Sequence, residues 1–169
     1  MKKKFSSSRR DFFRTAGVAA TSIILPRRVM ASLGRIKKPI KLGMIADLHQ
    51  DVMHDGPARL KAFLDAMKEE KPDALVQLGD FAYPTKKNDG VKKAFEKAHP
   101  RTLHVLGNHE IDGGHSFDKV AELWGMKGRY YTENVNGLEL IVLDCNEKPK
   151  DHKDGYPKYV GRKQLEWLE

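Results

Sequence analysis

The chain has 169 residues, with 31 Lys or Arg, 23 Asp or Glu, and a single cysteine, Cys145, which excludes an internal disulfide. Residues 1–31 carry eight basic residues and one acidic one, +7 of the total +8, and residues 32–169 carry 23 basic and 22 acidic. The basic excess therefore belongs to the first segment and does not mark a nucleic-acid-binding face on the rest.

That first segment, "SSSRRDFFRTAGVAATSIILP", starts basic, turns moderately apolar from about Phe12 to Leu25, and breaks at Pro26. Arg9-Arg10, followed by Asp11-Phe12-Phe13, resembles a twin-arginine export signal. Val29 and Ala31 fit the small-residue rule for cleavage at Ala31–Ser32. The apolar run is too short and too rich in Ala, Gly and Thr for a stable membrane span. The resemblance implies export to the periplasm or beyond, with the twin-arginine machinery as partner. The expected organisation is a signal peptide over 1–31, a linker over 32–39 and one domain over 40–169.

Within that domain, "KPIKLGMIADLH" predicts a strand over about 40–46. Pro57 opens a helix with Leu60, Phe63, Leu64 and Met67 on one face. "DALVQLGD" predicts a second strand, about 73–78. A short helix over 92–98 turns Val91, Ala94, Phe95 and Ala98 inward. "RTLHVLG" is a third strand, and "SFDKVAELWG" a helix closed by Gly125. "YYTENVNGLELIVLD" reads as two strands joined at Asn136-Gly137. "GRKQLEWLE" begins an amphipathic helix through Leu165 and Leu168. The strand–helix–strand–helix–strand order predicts an α/β fold: a largely parallel sheet covered by helices, then an antiparallel hairpin.

Each parallel strand empties into polar residues: Asp47-Leu48-His49, then Gly79-Asp80, then Gly107-Asn108-His109-Glu110. The carboxyl ends of parallel strands share one sheet edge, so these side chains should converge there. Carboxylate, amide and imidazole donors without a thiolate suit Mn, Fe or Zn.

"DLH", "GD" and "GNHE", in this order and each after a strand, resemble the first three motifs of the calcineurin-like metallophosphoesterases. The similarity covers about 40–169. It implies a layered sheet with flanking helices, two divalent metal ions, and hydrolysis of phosphomonoesters or phosphodiesters by a hydroxide held between them. By the same resemblance, Asp47 and His49 bind the first metal, Asp80 bridges both, and Asn108 binds the second. His109 meets the phosphate of a small phosphorylated substrate and assists the leaving group, and Glu110 orients the loop. Tyr83 stands where many members carry an Asp that orients that histidine. It is expected in the pocket wall, and Asp112 is a possible replacement carboxylate.

The later histidine motifs of the family do not occur before Glu169, so the resemblance implies a fold incomplete at the C-terminus. The alternative is a catalytically inactive metal-binding or interaction domain. Of the other histidines, His54 and His99 are expected on the surface and His104 in the core. His115 and His152 lie in polar loops, and Trp124 and Trp167 are expected in the core.

Overall fold

The computed structural model describes residues 38–169; the expected signal peptide over 1–31 lies outside the described residues. Three parallel strands, β1 (Leu42–Ile45), β2 (Ala74–Gln77) and β3 (Thr102–His104), form a sheet in the order β1–β2–β3. Their register sets Leu42 beside Ala74 and Leu75 beside Thr102. Helix α1 (Gly56–Glu70) crosses from β1 to β2, and α2 (Asp89–Ala98), entered through a short 3₁₀ turn at Lys86–Asn88, crosses from β2 to β3. Pro57 starts α1 without sacrificing a hydrogen bond, because the first helical N–H has no intrahelical partner. The short helices α3 (His109–Asp112) and α4 (Phe117–Leu123) follow β3.

Successive strand residues face opposite sides. Leu75 on one face joins Leu60, Phe81, Val91, Phe95 and Trp124 beneath the helices. Val76 and Leu103 on the other face join Tyr131 and Val142. Those two residues come from β4 (Tyr131–Val135) and β5 (Leu138–Val142), an antiparallel pair. Asn136 and Gly137 join them with φ of 54° and 96°, both left-handed, as a tight two-residue hairpin requires. Helix α5 (Arg162–Leu168) ends the described chain.

Four packing expectations are overturned. Ala94 and Ala98 are exposed and line a groove between α1 and α2; only Val91 and Phe95 of that helix are buried. On α5 the buried residue is Gln164, while Leu165 and Leu168 are 48% and 43% exposed. Gln164 is drawn in because its side chain closes two backbone bonds of Asp144, accepting from its N–H at 2.8 Å and donating to its carbonyl at 2.9 Å. Trp167 is 40% exposed and leans on Tyr130 instead of entering the core. His99 is half-buried, its ring nitrogens 2.9 Å from the Arg101 carbonyl and 3.1 Å from the Pro72 carbonyl.

Candidate metal centre

Beyond β1 and β2 the backbones stay paired after regular strand geometry ends. Asp47 N–H donates to the Gly79 carbonyl, His49 N–H to Asp80 and Gln50 N–H to Phe81, at 2.9–3.2 Å. Asp47, His49 and Asp80 all adopt left-handed φ, of 54°, 46° and 54°. That conformation is uncommon for residues with a Cβ and clusters where function over-determines the backbone. Leu48, between the two polar residues, is buried in the core under the helices.

The result is a compact donor group. His49 Nε2 stands 3.6 Å from Asp47 Oδ1 and 3.6 Å from Asp80 Oδ2. One potential ligand atom from each of Asp47, His49 and Asp80 lies within 4.8 Å of the others, and this is the one such group among the described residues. Two carboxylates and an imidazole, partly open to solvent, fit a borderline or hard divalent cation.

Two glycines let the loops meet. A Cβ on Gly79 would stand 2.8 Å from Gly107 Cα, and one on Gly107 would run into the Asp80 carboxylate and backbone nitrogen. The fully buried Glu110 fastens the same junction. Its carboxylate accepts N–H bonds from Phe81 at 2.7 Å, Gly107 at 3.0 Å and Asp80 at 3.2 Å. Burial raises its pKa above the ordinary carboxylate value, against the pull of those N–H donors.

Asn108 lines a cleft of about 280 Å³ with Asp47 and Asp80. Asn146, just past β5, lines it too and donates Nδ2–H to the Leu106 carbonyl at 3.0 Å. Cys145 lies along the cleft but outside the three-residue donor group. The His109 backbone N–H donates to Asp80 Oδ1 at 2.9 Å. Its ring is 4% exposed, stacked on Tyr83 at 4.3 Å and set edgewise to His49 at 4.6 Å. Asp112, 43% exposed at its side chain, lies 3.8 Å from His109 Nδ1. His54 is exposed and His104 is buried. His115 is half-buried, and His152 closes a local turn onto the Gly155 carbonyl.

The model of the calcineurin-like phosphoesterase family matches residues 40–168, more than half of the chain. The chain belongs to the calcineurin-like phosphoesterase family. Among solved structures, a dimetal phosphatase from Danio rerio is 19% identical, with a TM-score of 0.39. That match covers 49% of this chain and 33% of the other. No curated protein matches. For this phosphoesterase-family chain, strand ends led from sequence to Asp47, His49, Asp80 and Asn108. Asp51 and Asn146 went unmarked. Asn146 does follow a strand, but that strand belongs to a separate two-stranded sheet. Asp51 sits two residues past His49 in "DLHQD", and no strand-end rule reaches it.

Proposed function

We propose that the chain is the metal-binding part of a phosphoesterase, hydrolysing phosphomonoesters or phosphodiesters. The observation that carries this is the Asp47–His49–Asp80 donor group at the carboxyl edge of the parallel sheet. Asp47 and His49 would hold the first of two divalent cations, Asp80 would serve both, and Asn108 would serve the second. Bound there, two cations supply a water of lowered pKa and offset charge on the phosphoryl oxygens. The donor set is compatible with Mn, Fe or Zn.

The protein's own groups do the rest. Asp80 is held in place through Oδ1, which takes the His109 N–H. Glu110 fixes the loops that carry Asp80 and Asn108. His109 would donate to the oxygen of the departing alcohol.

A metal-binding domain without turnover is the second reading, and the donor count favours it at one point. Among the described residues the second cation has Asp80 and Asn108 as its expected donors. Assay of the chain with Mn²⁺ against p-nitrophenyl phosphate and bis(p-nitrophenyl) phosphate separates the two. Metal-dependent hydrolysis lost in Asp80→Asn supports the enzyme. Metal binding with no hydrolysis of either ester supports the second reading.

We further propose, from the Arg9-Arg10 segment alone, that the protein is exported from the cytoplasm. Residues 1–31 would engage the twin-arginine machinery, a route that carries folded proteins, and the lack of any internal disulfide suits folding before export.

A further inference from the structure

The groove between α1 and α2 encloses about 660 Å³ and shares no lining residue with the cleft at the metal centre. Two helical stripes build it. On α1 the lining residues recur from Pro57 to Lys68, about three turns or roughly 17 Å of helix. On α2 they recur as Gly90, Ala94 and Ala98, one above the next at four-residue spacing. Leu60 and Val91 form a buried floor, with Leu64 half-buried beside them. Gly90, Ala94 and Ala98 are exposed, and a Cβ on Gly90 would meet nothing within 4 Å. This wall of α2 therefore has little side-chain relief, and the backbone of a packing helix can approach it closely.

The rim has one sign. Lys61, Lys68, Lys87 and Lys97 line the groove against a single carboxylate, Asp65. Residues 32–169 as a whole are nearly balanced, with 23 basic and 22 acidic residues, so the excess is local. Asp65 already holds both Lys61 and Lys68. The neighbouring Lys92 and Lys93 pair with Glu96 and Asp89 of their own helix, whereas Lys87 and Lys97 pair with no carboxylate among the described residues.

We propose that this groove is a docking surface for an acidic amphipathic helix of a partner protein. Apolar side chains of that helix lie on Leu60, Leu64 and Val91, and the Glu or Asp side chains flanking them meet the lysines. An apolar trough that takes the nonpolar face of a helix is a recurrent mode of recognition, read through anchors at i, i+3 or i+4, and i+7. The lysine stems extend the apolar walls while their ammonium groups stay in water. Shape selects this occupant over two others with the same charge. A flat anionic membrane does not fill a trough between two helices. A small apolar acid requires burial on most sides, which the exposed wall of α2 does not supply. The inference does not depend on the phosphoesterase reading.

The test uses the ¹⁵N-labelled 169-residue chain and a designed helical peptide of about four turns, with one leucine stripe flanked by Glu. A second peptide carries Lys at every Glu position. Backbone resonance shifts on adding the acidic peptide should saturate and cluster on α1 and α2, and added salt should weaken the binding. Lys87→Glu combined with Lys97→Glu, both at exposed positions, should weaken the acidic peptide by about tenfold and admit the basic one. Ala94→Gln, which fills the trough without changing its charge, should weaken both. If the double variant does not fold, Ala94→Gln and the salt dependence decide. No saturable binding of the acidic peptide, equal binding of the basic one, or shifts away from these two helices overturns the proposal. So does a response of the α1–α2 face to phosphatidylglycerol vesicles but not to the peptide, which would assign the lysines to a membrane surface.

Discussion

The Glu110 carboxylate accepts the Phe81 N–H at 2.7 Å, tying the loop after β3 to the loop after β2 in the core of the protein. Its other oxygen takes the N–H groups of Gly107 and Asp80, so one buried side chain satisfies three backbone donors. Water has no access to replace it, since Glu110 is fully buried.

Glu110→Gln should therefore be costly although it preserves shape. The amide has one acceptor oxygen, and its NH₂ would face N–H groups that then lack a partner. We expect a loss of about 1–3 kcal/mol in chemical denaturation, the usual cost of a buried donor left unpaired. Unchanged stability would mean that the three N–H groups find other acceptors.

Gly107→Ala tests the close approach of the loops. The added methyl group meets the Asp80 carboxylate and backbone nitrogen, neither of which can move without disturbing the Glu110 and His109 bonds. Overpacking of this kind costs about 1–3 kcal/mol. Displacing Asp80 should also weaken stabilisation of the fold by Mn²⁺. A variant that is stable and keeps that response would show that the junction has slack.

Divalent metal should stabilise the fold by mass action. A cation at a hundred times its Kd adds about 2.7 kcal/mol if the unfolded chain does not bind it. Thermal unfolding with and without Mn²⁺ or Zn²⁺ measures this. Asp80→Asn should remove most of the gain, because it deletes the carboxylate facing His49. A full gain in that variant would place the cation elsewhere.

The expected export signal is tested at Arg9 and Arg10. Replacing Arg9 and Arg10 together with Lys should hold the protein in the cytoplasm, followed by cell fractionation. Undiminished export of the double variant would remove the twin-arginine reading.

The parts of the fold legible in the sequence are those where one periodicity dominates. β1 to β3 are short apolar runs bounded by turns, and α1 carries a regular apolar stripe. Asp47, His49 and Asp80 were legible because a parallel sheet forces its strand ends to one edge. The features that were missed depend on contacts between distant segments. Asp51 is held in place because Tyr83 and Asn88, more than thirty residues away, donate to it. Gln164 is buried because it pairs with the backbone of Asp144, twenty residues earlier. Periodicity on α5 pointed to its leucines, and a polar side chain with two well-placed partners took the interior position instead.

His104 gives the chain a stability that depends on pH. Its ring is 5% exposed, stacked on Trp124 and set edgewise to Phe95, and neither nitrogen has a hydrogen-bond partner. Burial lowers its pKa from 6.5 to about 4, with Glu96 pulling upward and Lys92 adding to the drop. The sign follows from proton counting. Between pH 6.5 and about 4 the unfolded chain holds a proton on this imidazole and the folded chain does not. Stability should therefore fall as pH drops through that window and level off below it. A shift of this size corresponds to about 3 kcal/mol in full. Glu110, raised by burial, acts in the opposite sense, so the total profile mixes the two. The His104 part is isolated by comparison with His104→Leu, which fills the site without a titrating group. The gap between the two denaturation profiles should widen steadily in favour of the variant from pH 6.5 to 4. Parallel profiles over that window would mean that His104 gains its proton without leaving the folded state.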